Sequence, residues 1–423
     1  MSGPVRAVLA LGCAASAVGC SLLGLRSQLQ ETNEIVYYTG TVTRSAPGHG
    51  PILVVLYSID AGREIIFYDI VPREGRYHLV GQPGGHAILA FEDTNRDFSY
   101  QPGEPVAHLQ ARPVNVRHKK APSADASIVI PAQGGVAPDF AIDLSPTSDE
   151  ASVQRRAGRV GAVTTLADPR FDKGNVENGI YRPMYFLRDA GPGLFLLEPY
   201  DPNRIPVIFV HGMDGSPRDW AAVIDGVDRS RYQPWVYYWP TGMPLQLSAW
   251  HLDQALEELR SRLRFARCVL IAHSMGGLVS RGALNFRLND GRPLIVERFI
   301  TISTPWKGHA AAGLGVKTAP IVVPAWRDMA PGSEYLNSLF AVPFPAELEY
   351  SMLFSHHGRS MMTPGKDDGT VSVDSMLAYE AEDAARFIYG LSEDHVSILS
   401  SPKTLEKLNL LLADRPVVEP TGP

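Results

Sequence analysis

A serine with small residues on both sides stands at the end of an apolar run in the second half of the chain. Ser274 lies two positions from Ala272 and two from Gly276, after the run at 269–272. This spacing is typical of a strand that turns sharply into a helix, because small residues let the two elements approach closely while the serine projects from a strained backbone. Ser274 is therefore a candidate nucleophile. The alternative is a helix N-cap serine after a buried strand.

A serine hydroxyl attacks a carbonyl only with a nearby base to take its proton and with donors to stabilise the resulting oxyanion. Two adjacent carboxylates, Asp367 and Asp368, lie downstream of Ser274, and His395 is the only histidine that follows them. The backbone N–H of Met275, directly after the serine, is a candidate oxyanion donor. The chain thus supplies every part that nucleophilic catalysis by serine requires.

Three segments resemble motifs of lipase-like α/β-hydrolases, near the bacterial lipases and the deacylases that act on glycosylphosphatidylinositol lipids. The run around Ser274 resembles the Gly-x-Ser-x-Gly elbow of that family, with Ala272 in the first position. An apolar strand ending in His211-Gly212 resembles its oxyanion motif, and Asp368-Gly-Thr-Val resembles its acid segment. The resemblance covers roughly residues 180 to 412.

The chain order of nucleophile, acid and base also agrees with that family. The resemblance implies five site residues: Ser274 as nucleophile, Asp368 as acid, His395 as base, and the backbone N–H groups of Met213 and Met275 as the oxyanion hole. Spacing alone does not separate Asp368 from its neighbour, so Asp367 is the alternative acid.

The elements that must position these residues alternate between strand-like and helical patterns after Tyr181. Strand-like runs occupy 185–187, 194–197, 207–210, 235–238, 269–272, 299–302, 349–354 and 386–391, and a helix is predicted at about 245–264. This alternation predicts a doubly wound, mostly parallel sheet with helices on both faces, over about 181–415. An apolar insertion at about 310–345 follows a turn that resembles the family's Thr-Pro-x-x-Gly. It is either a mobile lid over the acyl pocket or a fixed pair of packed helices.

The region at 33–145 shows short strand-like segments punctuated by Gly and Pro, without a helical period. This pattern predicts a small all-β sandwich, and it loosely resembles transthyretin-like modules. Residues 146–180 are polar and predict a linker or an ordered lead-in.

An acidic loop in this region has oxygen-bearing side chains at alternate positions, as an EF-hand-like calcium loop does. The candidate ligands are Asp93, Asn95, Asp97, Ser99 and Glu104. Phe98 stands where such a loop needs glycine, and no helices flank it. A solvated turn is the alternative, and no other metal or cofactor is predicted.

The amino terminus resembles a bacterial lipoprotein signal at residues 1–19, because Arg6 and an apolar stretch precede Ser-Ala-Val-Gly-Cys20. The resemblance implies export and lipidation of Cys20, with anchoring in a cell-envelope membrane, the outer membrane being expected. A plain secretory signal or an uncleaved anchor is the alternative. The net charge of −6 and pI near 6.1 argue against a nucleic-acid partner.

Together these observations predict an exported serine hydrolase that cleaves carboxylic esters through an acyl-enzyme, with lipid, glycan and polyester substrates left open. An acyltransferase with the same triad is one alternative. A non-catalytic surface protein that binds through its β-region is another.

Overall fold

The computed structural model describes residues 34–59, 62–81, 84–109, 127–145, 160–360 and 365–413, together with residues 24, 26, 27, 31 and 32. The strands are β1 (Val36–Arg44), β2 (Ile52–Ser58), β3 (Ile65–Val71), β4 (Gly75–Gly81), β5 (His86–Glu92), β6 (Val106–Leu109), β7 (Ile128–Ile130), β8 (Gly193–Leu196), β9 (Ile205–Val210), β10 (Tyr232–Tyr238), β11 (Cys268–His273), β12 (Val296–Ile302), β13 (Glu349–Ser355) and β14 (Phe387–Leu391). The α-helices are α1 (Lys173–Tyr181), α2 (Pro183–Asp189), α3 (Ala221–Gly226), α4 (Leu245–Leu263), α5 (Met275–Asn289), α6 (Ala310–Thr318), α7 (Pro324–Met329), α8 (Glu334–Ser338), α9 (Val373–Met376), α10 (Tyr379–Ala384) and α11 (Pro402–Leu412).

The first seven strands form two facing sheets, with the orders β4-β1-β7 and β3-β2-β5-β6. All neighbours are antiparallel except the parallel pair β1 and β7. Alternate residues of β2, such as Ile52 and Val54, pack against Val42 and Leu79 in the core between the sheets. The predicted β-sandwich is confirmed.

The other seven strands form one sheet in the order β14-β13-β12-β11-β9-β10-β8, with only the edge strand β8 antiparallel to its neighbour. Successive residues of β9 point to opposite faces. Ile208 and Val210 pack with α4 and α5, while Val207 and Phe209 pack with α3 and α11. The predicted mostly parallel sheet with helices on both faces is confirmed.

The prediction of a strand at 185–187 was wrong, because these residues lie in α2. Pro183 occupies the first turn of that helix, where its missing N–H costs no hydrogen bond. Three apolar residues in a row carry no period that separates a strand from a helix. In the predicted linker, residues 160–180 are an ordered lead-in: Val163 bridges to Leu196, and α1 follows.

The insertion at 310–345 contains α6, α7 and α8. Ala312, Met329 and Leu336 belong to the same apolar core cluster as α4 and α5. The backbone N–H of Ala325 also donates to the carbonyl of Gly242, in the loop after β10. The insertion is thus three short helices packed onto the core of the seven-stranded sheet.

The β-sandwich and the seven-stranded sheet are joined by buried contacts between aromatic and charged side chains. The rings of Phe67 and Trp250 lie 5.1 Å apart between centroids. Arg292 lies 3.4 Å from both Asp69 of β3 and Asp253 of α4, and all three side chains are almost fully buried.

Residues 1–19 and Cys20 lie outside the described residues. Within the part of the chain that the structure describes, no helix combines the length and apolarity needed to cross a bilayer.

Candidate active site

Ser274 lies at the sharp turn between the central strand β11 and helix α5. Its backbone has φ 53° and ψ −129°, a strained conformation for a residue with a side chain. A Cβ atom on Gly276 would lie 2.5 Å from the carbonyl oxygens of Val210 and His211, so only glycine fits there. The close approach of α5 to the end of β9 therefore explains the small residues around the serine.

Three residues that are far apart in the sequence meet at this turn. His395 Nε2 lies 2.8 Å from Ser274 Oγ, and His395 Nδ1 lies 2.7 Å from Asp368 Oδ2. Because the carboxylate accepts the Nδ1 proton, Nε2 is left to accept the proton of the serine hydroxyl. All three side chains are buried, with Ser274 8% exposed. The structure brings the predicted nucleophile, base and acid into one hydrogen-bonded line.

Asp368 is held by four donors around its carboxylate. The backbone N–H groups of Thr370 and Val371 donate to Oδ1 at 3.1 and 2.7 Å, and the Ser355 hydroxyl donates to Oδ2 at 2.5 Å. Burial raises the pKa of Asp368, but the hydrogen bond from His395 and those from Ser355 and Val371 outweigh it and hold the pKa below its usual value. The carboxyl group therefore stays ionised at neutral pH.

The neighbouring carboxylate has a different contact set. Asp367 accepts the backbone N–H of Ser360 at 2.9 Å and that of Gly369 at 2.7 Å. These bonds hold together the loop that carries Asp368. Of the two adjacent carboxylates, it is Asp368 whose oxygen contacts the imidazole of His395.

Two serines behind the acid were not predicted from the sequence. Ser355 Oγ lies 2.7 Å from Ser303 Oγ, and both side chains are fully buried. Ser303 follows β12 with φ 51°, and Ser355 ends β13. A signal was available, since polar residues at the carboxyl ends of buried parallel strands mark the edge where open α/β sheets place their sites.

Two histidines of the predicted motifs hold backbone groups. His273 Nε2 donates to the carbonyl oxygen of His395 at 2.8 Å, and burial together with the neighbouring charge of His395 lowers the pKa of His273 to about 3. His211 Nδ1 donates to the carbonyl of Gly212 at 2.9 Å, and burial lowers its pKa to about 4. Both imidazoles are therefore neutral at pH 7, and His273 ties the strand before the nucleophile to the loop of the base.

The two expected oxyanion donors belong to backbone segments that adjoin the serine: the start of α5 and the loop after β9. Met275 is the first residue of α5, where backbone N–H groups have no partner within the helix. A Cβ atom on Gly212 would lie 2.9 Å from the Cβ of Ser274, so the loop that leads to Met213 passes directly against the nucleophile. Asp214 then continues the turn with φ 56°.

The carboxylates of the acidic loop in the β-sandwich accept hydrogen bonds from the loop itself. Asp93 accepts from the N–H groups of Asp97 and Phe98 at 3.1 Å, and Glu104 accepts from Thr94 and Gln101. Among the described residues, no group of three or more His, Cys, Asp or Glu is arranged to hold a metal ion. The calcium site at Asp93, Asn95, Asp97, Ser99 and Glu104 stays a prediction, with a solvated turn as its alternative.

Comparisons with known proteins give a family match across the nucleophile. Residues 236–316 match the model of the lecithin:cholesterol acyltransferase family. No curated protein matches the sequence.

Several solved structures are similar to this chain. The mature lipase BlEst2 of Bacillus licheniformis is 21% identical over 52% of this chain and 96% of its own, with a TM-score of 0.41. The lin2722 product of Listeria innocua is 18% identical over 51% of this chain and 96% of its own, with a TM-score of 0.39. Lipase B of Aspergillus fumigatus is 14% identical over 51% of this chain and 54% of its own, with a TM-score of 0.40.

The family match spans β11, the strained serine and α5, which occupy the centre of a seven-stranded, mostly parallel sheet. With this sheet order and this turn, the chain has the α/β-hydrolase fold.

Proposed function

We propose that the protein is a serine hydrolase that cleaves carboxylic esters through an acyl-enzyme. The observation that carries the proposal is the continuous hydrogen-bond path from Ser274 through His395 to Asp368. In acylation, His395 Nε2 takes the hydroxyl proton while Ser274 Oγ attacks the ester carbonyl carbon. The negative charge moves onto the carbonyl oxygen, where the N–H groups of Met213 and Met275 are the proposed donors.

The tetrahedral intermediate then collapses to an acyl-serine. The C–O bond to the leaving alcohol breaks, and the alkoxide receives the proton from His395 Nε2. Asp368 stabilises the imidazolium during both transfers, because its carboxylate stays ionised beside Nδ1. In deacylation, His395 takes a proton from water as the water oxygen attacks the acyl carbon. The bond between that carbon and Ser274 Oγ then breaks, Oγ receives the proton from His395 Nε2, and the carboxylic acid leaves.

Acyl transfer is a second candidate, because the matched family is described as an acyltransferase and the match includes Ser274. An alcohol in place of water would resolve the same acyl-enzyme to a new ester. Turnover of a p-nitrophenyl ester with rising concentrations of a long-chain alcohol tests this. New ester as the main product would favour the transferase, and free acid alone would favour the hydrolase. A panel of acyl chain lengths, with and without a lipid interface, would then define the substrate.

Substitution of the nucleophile tests the proposal itself. We expect Ser274→Ala to lower kcat for p-nitrophenyl butyrate by about 10³-fold or more, because the acyl-enzyme cannot form. Ser280→Ala is a matched control, since Ser280 is a fully buried serine of α5, the helix that follows the nucleophile. Retained turnover in Ser274→Ala would refute the mechanism. A fluorophosphonate probe that fails to label folded wild-type protein would favour the non-catalytic binding protein.

We also propose that Cys20 is lipidated and anchors the protein in a bacterial envelope membrane, with the outer membrane as its expected location. The support is the lipobox-like run that ends at Cys20. Cells fed an alkyne analogue of palmitate should label the wild-type chain but not Cys20→Ser. Equal labelling of both chains would overturn the anchor.

A further inference from the structure

A cavity of about 750 Å³ lies between the β-sandwich and the hydrolase unit. This volume falls within the range of about 300–1,000 Å³ that is typical of small-molecule sites. Its sandwich wall includes Ile66 and Phe67, and its hydrolase wall includes Leu187, Leu247 and Trp250. None of Ser274, Asp368 and His395 lines it, so it is distinct from the candidate active site.

The two walls are held at a fixed separation by the contacts between the units. Phe67 and Trp250 meet across the interface with ring centroids 5.1 Å apart. Arg292 pairs with Asp69 of the sandwich and Asp253 of the hydrolase unit at 3.4 Å, with all three side chains at most 3% exposed. Removing a partner from a buried ion pair is strongly unfavourable, so these contacts resist separation. The cavity is therefore preformed.

The charges at the cavity select against a negatively charged head group. Glu31 and Glu64 are half-buried lining residues. Among the lining residues that the structure describes, which also include His86 and His251, Arg188 is the only lysine or arginine. Arg188 is mostly exposed and lies 3.8 Å from Asp189, which offsets its charge. An anion would thus meet two carboxylates and one partly neutralised guanidinium, which is unfavourable.

Two residues of the hydrolase wall have polar atoms that a neutral head group could satisfy. Among the described residues, Ser248 Oγ and Trp250 Nε1 are buried without a hydrogen-bond partner. Both residues line the cavity and are 4% exposed. Unpaired buried polar groups are costly, and hydroxyl or ether oxygens would match a hydroxyl and an indole N–H.

We propose that this cavity binds the hydrocarbon chain of a neutral amphiphile whose head group carries hydroxyl or ether oxygens. The apolar walls contact the chain, and Ser248 and Trp250 contact the head-group oxygens. The site does not depend on the proposed esterase activity, because no member of the triad contributes to it.

Calorimetric titration with 1-O-dodecylglycerol below its critical micelle concentration tests the proposal. This ether cannot be cleaved by an esterase, so binding is measured independently of turnover. We expect one ligand per chain, with dodecanoate binding at least tenfold more weakly. Ile66→Trp and Leu247→Trp fill the cavity from opposite walls, and each should weaken binding at least tenfold. Val129→Trp is the control, because Val129 is 59% exposed and does not line the cavity.

Circular dichroism and the melting temperature verify that each variant is folded, and either filling variant suffices if the other fails to fold. Absence of binding to the wild-type chain would overturn the proposal. Undiminished binding to a folded filling variant would do so as well, because the ligand would then lie elsewhere. Dodecanoate binding as tightly as the ether would overturn the preference for a neutral head group.

Discussion

Ser355→Ala tests whether the serine that donates to Asp368 helps to position Asp368 and His395 for the proposed reaction. Ser355 Oγ donates at 2.5 Å to Asp368 Oδ2, the same oxygen that accepts the Nδ1 proton of His395 at 2.7 Å. The substitution removes this donor while Thr370 and Val371 still hold the other carboxylate oxygen. The acid thus keeps its place in the loop, but the oxygen that contacts His395 is held less firmly.

A hydrogen bond to a charged group contributes about 1.5–3 kcal/mol. Because three of the four donors to Asp368 remain, we expect about half of this range to reach the transition state. That is about 0.8–1.5 kcal/mol, or roughly a 4- to 13-fold loss in kcat/KM. The Ser355 hydrogen bond is one of those that hold the pKa of Asp368 below its usual value, so its loss should raise that pKa. Because catalysis needs the ionised carboxylate, the acid limb of the kcat/KM profile should move to higher pH.

The assay is the pH profile of kcat/KM for a p-nitrophenyl ester, measured for wild type and Ser355→Ala. Thr164→Val is a matched control, because it removes a hydroxyl that donates to Asp168 Oδ2 at the same 2.5 Å, far from the triad in sequence and sheet position. The control should leave the profile unchanged. A folded Ser355→Ala enzyme with unaltered kcat/KM and an unaltered acid limb would refute the positioning role.

Three further predictions concern stability and the elbow. Arg292→Met removes the arginine that pairs with the buried carboxylates of Asp69 and Asp253, and it should lower the free energy of unfolding in urea by about 3–5 kcal/mol. A loss below about 1 kcal/mol would contradict the importance of these buried pairs. Burial raises the pKa of Asp328 to about 6, above the 3.8 of the free side chain, so its ionisation on going from pH 4 to pH 7 destabilises the fold. Asp328→Asn, which keeps an acceptor for the Leu245 N–H, should therefore stabilise the protein at pH 7.5 by about 1–3 kcal/mol and give no gain below about pH 4, as melting curves at both pH values would show; equal gains would argue against titration of this group. Gly276→Ala places a Cβ 2.5 Å from two backbone carbonyls, so both the melting temperature and kcat should fall, and wild-type values would show that the elbow relaxes.

Local patterns in the sequence were sufficient to predict most of the strands and the order of the elements in the fold. The alternation of apolar runs with a helical stretch predicted the sheet around β11, because buried parallel strands are apolar throughout and helices repeat every 3.6 residues. Strand β1 was not predicted, although its residues alternate between buried and more exposed positions along much of its length. The strand prediction at 185–187 was wrong because a short apolar run has no period, and Pro183 starts a helix there.

The sequence by itself determined which residue types could perform the chemistry and their order along the chain. Ser274 was recognisable because the strained turn needs small residues two positions before and after the serine. These residues are close in the sequence, so the pattern can be seen without the structure. His395 was recognisable because no other histidine follows the acidic segment.

Only the tertiary structure decided which groups touch. Asp367 and Asp368 are equivalent by spacing, and the direction of each side chain depends on the loop that folds around them. The line from Ser303 through Ser355 to the acid joins the ends of two strands, and the cavity joins two separately folded units. Such contacts bring together residues distant along the chain, so local periodicity cannot specify them, whereas packing of the completed sheet and sandwich does.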